Sequence, residues 1–239
     1  MKKKLARRMI RTYYCMAAIL LMAVGVNAEP AGLKTLEVSY SPAQGIGIET
    51  GVMCRDPSDI IKVGDVYYIW YTKGKLRHGY DATIWYATSP DGHTWTEKGE
   101  ALVRGSVGRW DEQSAFTPSI LVAEGKYWLY FTAVPKPFDE ASTKSGIGMA
   151  VSDSPDGPWE KLAVNPILLT SDDPDKFDSM RVDDACLVVR DGKYWMYYKG
   201  RQIDKLPKES MMGVAIAEKP EGGFEPPTSG LWALFKPKS

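Results

Sequence analysis

The chain has 239 residues, with 30 Lys and Arg against 30 Asp and Glu and a formal net charge of zero. That balance excludes the basic surface a nucleic-acid or anionic-membrane partner would require, and the length suits one domain with a substantial core. Aromatic residues number 13 Tyr and 8 Trp against 6 Phe, so most rings carry a polar tip and suit a half-wet surface as well as sheet packing.

The N-terminus reads as a targeting segment. Lys2, Lys3, Lys4, Arg7, Arg8 and Arg11 form a basic stretch, and the apolar run from Met16 to Val26 is too short to span a bilayer comfortably. Val26-Asn27-Ala28 is a small-residue cleavage site before Glu29. Residues 1–28 are therefore expected to be a secretory signal peptide, and the product to be secreted or periplasmic with no membrane attachment after cleavage. Cys15 precedes the apolar run, which is the wrong place for a lipid-bearing cysteine. Cys54 and Cys186 then remain, each at the start of an expected inner strand. Two buried free thiols are expected, with a disulfide as the alternative in an oxidising compartment. His78 and His93 are the only histidines, so no Cys/His cluster forms, and neither a metal site nor a cofactor is expected.

Residues 29–55 form an irregular, Gly-rich lead-in, as in Pro42-Ala43-Gln44-Gly45-Ile46-Gly47-Ile48. From Asp56 a layout recurs at a period of about 65 residues. Each unit opens with an inner strand, turns at a glycine and returns as an aromatic strand. The three hairpins are Ile60-Ile61-Lys62-Val63-Gly64-Asp65-Val66-Tyr67-Tyr68, then Ile120 to Tyr130 around Glu124-Gly125, then Leu187 to Tyr197 around Asp191-Gly192. Third strands follow at Thr83–Ser89, Gly146–Ser152 and Met212–Ala217. Each leads into a Pro-containing turn: Ser89-Pro90-Asp91-Gly92, Ser154-Pro155-Asp156-Gly157 and Lys219-Pro220-Glu221-Gly222. Trp95, Trp159 and Phe224 come next and are expected to open a fourth, outer strand. Long helical periodicity is absent.

Four antiparallel strands per repeat are the blade of a β-propeller. The expected fold is all-β, with propeller blades over residues 56–225 and a tail at 226–239 that lacks the blade layout. Three blades are fewer than the roughly four that close a ring, so the chain is expected either to assemble with another copy or to be a truncated reading frame, with truncation preferred.

The motifs together resemble glycoside hydrolase family 117, the α-1,3-L-neoagarooligosaccharide hydrolases, which are related to family 43. They are Arg55-Asp56-Pro57-Ser58, Ile84-Trp85-Tyr86-Ala87-Thr88-Ser89, Phe116-Thr117-Pro118, Gly148-Met149-Ala150 through Ser154-Pro155-Asp156-Gly157-Pro158-Trp159, Phe177-Asp178-Ser179 with Val182-Asp183-Asp184, and Tyr197-Tyr198-Lys199-Gly200. The resemblance implies a five-bladed propeller that removes 3,6-anhydro-L-galactose from the non-reducing end of agar-derived oligosaccharides with inversion. It implies Asp56 as general base and Asp184 as a second, tuning carboxylate. It also implies a homodimer, although family dimers swap an N-terminal helical segment for which residues 29–50 are too short. In two places the chain departs from the pattern. Ser119 stands where the family tends to have Glu after Phe-Thr-Pro, and the family's acid, a histidine of a later blade, has no counterpart before Ser239.

Inverting hydrolysis needs a base to activate water and an acid to protonate the leaving oxygen, roughly 6.5–9.5 Å apart. Asp56 and Asp184 open inner strands of different blades, so both can face the axis, where neighbouring carboxylates push each other's pKa apart. The alternative for each is to cap a turn. Substrate contacts are expected from Arg55, Ser119, Trp85, Trp110 and His78, with oligosaccharide as the partner molecule. Asp59, Asp183, Glu112 and Asp178 are secondary acids, and Arg181 is a second candidate for holding carboxylates or hydroxyls. The rival activities are a family 43-type arabinosidase or xylosidase and, from another class, a non-catalytic glycan-binding or inactive propeller fragment.

Overall fold

The computed structural model describes residues 38–227, so the segment expected to be a signal peptide and most of the tail lie outside the described residues. Residues 42–227 lie in one compact unit. Of the unit before it, residues 38–41 are described and are exposed, without regular structure. No helix among the described residues is long and apolar enough to cross a membrane.

Three antiparallel sheets follow one another in the chain. The first holds β1 (Ile61–Val63), β2 (Val66–Lys73), β3 (Thr83–Ser89) and β4 (Thr96–Leu102) in that order. The second holds β5 (Ser114–Ala123), β6 (Lys126–Val134), β7 (Gly146–Ser152) and β8 (Glu160–Lys161), with β9 (Leu168–Leu169) also paired to β7. The third holds β10 (Arg181–Arg190), β11 (Lys193–Arg201) and β12 (Met211–Ala217). Each sheet thus meanders outward from an inner strand as a propeller blade does. The inner hairpins of the second and third blades close on two-residue loops, Glu124-Gly125 and Asp191-Gly192, with φ of 53° and 73°, and 53° and 71°. Positive φ at both loop residues is the turn whose twist matches the strands, and it explains the glycine in second place.

The outer strands fall short of the expected regularity. Among the described residues only the first blade has a full fourth strand. In the second it is divided between β8 and β9, and in the third a single bridge joins Ile216 to Glu225. Prolines at these edges account for the difference: Pro158, Pro166, Pro226 and Pro227 have no N–H to offer a ladder. The lead-in is irregular and is tied to the first blade at Gln44, whose backbone bridges Thr94 through hydrogen bonds with His93 and Trp95.

The core lies between the blades. Strand β6 is buried on both faces and its residues alternate between two clusters. Leu129, Phe131 and Ala133 pack with Tyr68, Trp70 and Ile84 of the first blade. Trp128 and Tyr130 pack with Val182, Leu187, Met196 and Tyr198 of the third. A period of two on a strand covered by a sheet on each side makes nearly every residue apolar, which is why this run lacks polar alternation.

Candidate active site

The inner strands of the second and third blades carry matching irregularities. In β5 the ladder pairs Phe116 with Thr132 and resumes at Ser119 with Tyr130. In β10 it pairs Asp183 with Lys199 and resumes at Cys186 with Tyr197. Each therefore has one extra residue, a β-bulge, and bulges re-aim side chains beside active sites. Thr117 and Asp184 occupy the bulges with φ of 47° and 55°, strained for residues with a Cβ. Hydrogen bonds from neighbouring blades hold both: the N–H of Thr117 donates to Thr72 Oγ1 at 2.8 Å, and the N–H of Asp184 to Thr132 Oγ1 at 3.1 Å.

These bulges open on a cavity of about 580 Å³ lined by Asp56, Pro57, Ser58 and Asp59 of the first blade, Thr117, Pro118 and Ser119 of the second, and Asp183, Asp184, Cys186 and Lys199 of the third. Arg77, His78 and Tyr80 reach it from the loop between β2 and β3. The acidic residues expected at the axis thus converge. Asp56 is exposed to the cavity, and its Oδ2 accepts a hydrogen bond from the buried Cys54 thiol at 3.0 Å. Burial first, then that hydrogen bond, pushes the Cys54 pKa up to about 12, so the sulfur stays protonated and remains a donor.

Lys199 is the cation that pairs with the acids of the site. Its Nζ contacts Asp184 and lies 4.0 Å from Asp183 Oδ2. Burial acts to lower the Lys199 pKa, but the charge of Asp184 and its hydrogen bond prevail and hold it above the ordinary lysine value. Asp183 is buried, and desolvation raises its carboxyl above the usual range against the opposing pull of Lys199 and Arg181. Two adjacent acids thus occupy different environments, Asp184 half-exposed beside a cation and Asp183 shut away from water. Ser119 lies in the cavity wall with its Oγ buried and without a hydrogen-bond partner.

Three expected substrate contacts lie elsewhere. Arg55 points away from the cavity, contacting Glu49, pairing with Glu97 at 3.2 Å, and lying over the Tyr71 ring. It clamps the lead-in to the first blade, because a carboxylate pair there outcompetes any reach to the axis. Trp85 sits on β3 under the Lys73 ammonium, 4.1 Å from the ring centroid, and lines a separate hollow with Glu49 and Arg104. Trp110 is packed against Phe131 and lies over the glycines of β7, where a Cβ on Gly148 would come within 2.7 Å of the ring. Both tryptophans serve sheet packing: Trp85 packs with the outer part of the first blade, and Trp110, in the loop between β4 and β5, packs against the second, so neither lines the cavity. Among the secondary acids, Glu112 accepts the N–H of Gly108 within its own loop, and Asp178 accepts the Tyr198 hydroxyl. Cys186 is exposed and Cys54 is buried, and both are free, which corrects the expectation of two buried thiols.

Sequence reading also missed residues. Lys199 was legible as part of a motif but not as a site cation, although counting back from the Asp191-Gly192 turn sets 183 and 184 opposite 199 and 200. Tyr80 and Arg77 lie in a loop whose course no periodicity foretells.

Residues 51–185 match the profile of the glycosyl hydrolases family 43. The chain belongs to that family. A solved family 117 glycoside hydrolase from the marine bacterium Zobellia galactanivorans is 30% identical, with a TM-score of 0.68 over 80% of this chain and 60% of that one. The fold is the all-β, five-bladed propeller type of these hydrolases, with three blades among the described residues. An extracellular endo-α-(1→5)-L-arabinanase of Thermotoga petrophila is 26% identical over 77% of this chain and 43% of its own length. A xylan 1,3-β-xylosidase of a Vibrio species is 28% identical over 51% of this chain and 24% of its own. The family 43 chain described here thus spans less than half the length of these curated relatives.

Proposed function

We propose that this family 43 chain is the substrate-binding and base-bearing part of an exported, exo-acting glycoside hydrolase that releases 3,6-anhydro-L-galactose from the non-reducing end of agar-derived neoagarooligosaccharides with inversion. The observation that carries the reading is the meeting of Asp56 with Asp184 and Lys199 in one cavity at the inner strand ends. The likeness to the Zobellia family 117 enzyme and the extracellular arabinanase supports it. Asp56, open to the cavity, activates the water that attacks the anomeric carbon and takes up its proton. Asp184, held by Lys199, keeps negative charge on the opposite wall and tunes the acid that protonates the leaving oxygen. His78 meets the sugar from the rim, and Ser119 offers a hydroxyl where a carboxylate is typical of the family pattern.

The second reading is an arabinosidase or xylosidase, favoured by the curated relatives and disfavoured by Ser119, which leaves that strand without the acid such enzymes use. Incubation of the chain and of Asp56→Asn with neoagarobiose, arabino-oligosaccharides and xylo-oligosaccharides separates the readings. Anhydrogalactose release that is lost in the variant supports the first. Pentose release supports the second, and retention of any of these sugars without turnover supports a binding module.

A further inference from the structure

Behind the main cavity lies a smaller recess of about 220 Å³, lined by His78, Tyr80, Glu140, Arg181, Asp183, Lys199 and Arg201 with Pro207 and Ser210. His78, Tyr80, Asp183 and Lys199 border both spaces, so the recess opens from the proposed catalytic pocket. Its back wall is a pair of arginines. Arg181 and Arg201 stand directly opposite each other across β10 and β11 and are only 2% and 7% exposed. Like charges facing each other across an antiparallel pair repel, and burial removes the water that would soften the repulsion.

Asp183 and Glu140 line the same recess and their charges act on Arg181, but only from beyond ion-pair distance. Neither guanidinium has a carboxylate within ion-pair distance among the described residues. Both direct an Nη2 at one neutral acceptor, the Glu140 carbonyl, at 3.0 Å and 3.4 Å. Arg181 Nε and Nη1 and Arg201 Nε are buried without any hydrogen-bond partner. The rings of Tyr80 and Phe138 hold the Arg181 guanidinium, 5.6 Å and 5.3 Å from their centroids, and so fix its plane. Two pre-oriented, desolvated forks short of acceptors are the arrangement that receives a planar or tetrahedral oxyanion.

We propose that this recess is a subsite for an oxyanion substituent, a sulfate ester or a carboxylate, on the sugar bound in the main cavity or on its immediate neighbour. The inference rests on the glycosidase reading of that cavity and makes charged forms of its glycan the tighter-bound ligands, with neutral oligosaccharides still accepted. Arg181 and Arg201 receive the oxyanion, and Lys199 and His78 border its entrance from the catalytic side.

The test is calorimetric titration of the chain with sodium sulfate, sodium glucuronate and neutral galactose. Saturable binding of at least one anion, weakening as sodium chloride is added and exceeding any binding of galactose, is expected. Arg201→Met is expected to lower that affinity at least tenfold and Arg201→Lys by less. Tighter sulfate identifies a sulfate ester, tighter glucuronate a uronate, and equal affinities a site that reads charge alone. Binding of neither anion beyond galactose overturns the proposal, as does unchanged anion affinity in Arg201→Met. If that variant does not fold, Arg201→Lys and the wild-type titrations still decide. A second arm compares neutral oligosaccharides with sulfated or uronate-bearing counterparts as ligands of Asp56→Asn, where at least tenfold tighter binding of the charged ones is expected and equal binding overturns the proposal. None of these readouts requires turnover, so a failed subsite and a failed hydrolase assignment remain distinguishable.

Discussion

Thr117 and Asp184 occupy the same place in successive blades, each the positive-φ residue of an inner-strand bulge, and Thr132 links them: its Oγ1 lies 2.7 Å from that of Thr117 and accepts the N–H of Asp184. The next residue in this series breaks the pattern. Register places Thr72, Thr132 and Lys199 at corresponding points of β2, β6 and β11. Where two blades place a threonine that props the next bulge, the third places a lysine that turns back to Asp184. The same scaffold position thus supplies support twice and charge once.

Asp56→Asn keeps the size of the side chain while removing the base. Turnover of neoagarobiose is expected to fall roughly 10²- to 10⁴-fold, the range a positioned base contributes, with an unchanged circular dichroism spectrum because the residue is exposed. Full activity in a folded Asp56→Asn protein would remove Asp56 from the chemistry.

Lys199→Met separates stability from chemistry. The lysine and Asp184 side chains are 40% and 42% exposed, so the pair contributes only about 0.2–1 kcal/mol. Because the folded-state pKa of Lys199 is raised, that contribution is present below the ordinary lysine value and lost as pH rises through the folded one. Urea midpoints near pH 7 should shift little, whereas turnover should drop roughly tenfold or more as Asp184 loses its orienting partner. A large shift of the midpoint with intact turnover would reverse these roles.

For Asp183 the sign is the opposite. Burial holds its carboxyl pKa up in the folded protein, so the folded state binds that proton more tightly than the unfolded one. Its ionisation then costs stability increasingly as pH climbs above about 3.9, the ordinary carboxylate value. Asp183→Asn is expected to match the wild type near pH 3 and to gain on it towards pH 8 in urea unfolding. A gap independent of pH would show that the carboxyl titrates alike in both states.

Gly148→Ala tests the packing role assigned to Trp110. A Cβ there would meet the indole at 2.7 Å and Asn165 Oδ1 at 3.1 Å, so the ring must shift. Overpacking of this kind costs about 1–3 kcal/mol, readable as a lower unfolding midpoint with altered tryptophan fluorescence. An unchanged midpoint would mean that the ring relocates freely.

The thiols should differ in reactivity. Cys186 is exposed in the cavity, while Cys54 is buried and protonated against Asp56. Iodoacetamide at pH 8 is expected to modify Cys186 first and to reach Cys54 only on unfolding. Mass spectrometry of the alkylated peptides gives the order.

The sequence alone determined the strand hairpins, their turns and the recurrence of the blade, because the period of two and the turn residues are local properties of the chain. Asp56 and Asp184 were legible in the same way, each near the opening of the inner strand of an aromatic hairpin. The tertiary structure alone decided which side chains meet. Arg55 and Trp85 read as pocket residues by the chemistry of their side chains, but Glu97 and Lys73, brought alongside by strand pairing, claim them. Arg181 and Arg201 are 20 positions apart by number and become neighbours only through the β10–β11 register. Bulges at Thr117 and Asp184 change which way a side chain faces by a single residue, and no alternation pattern records that. Strand formation follows from nearest neighbours in the chain, whereas a site is made by residues that register, burial and charge bring together from different blades.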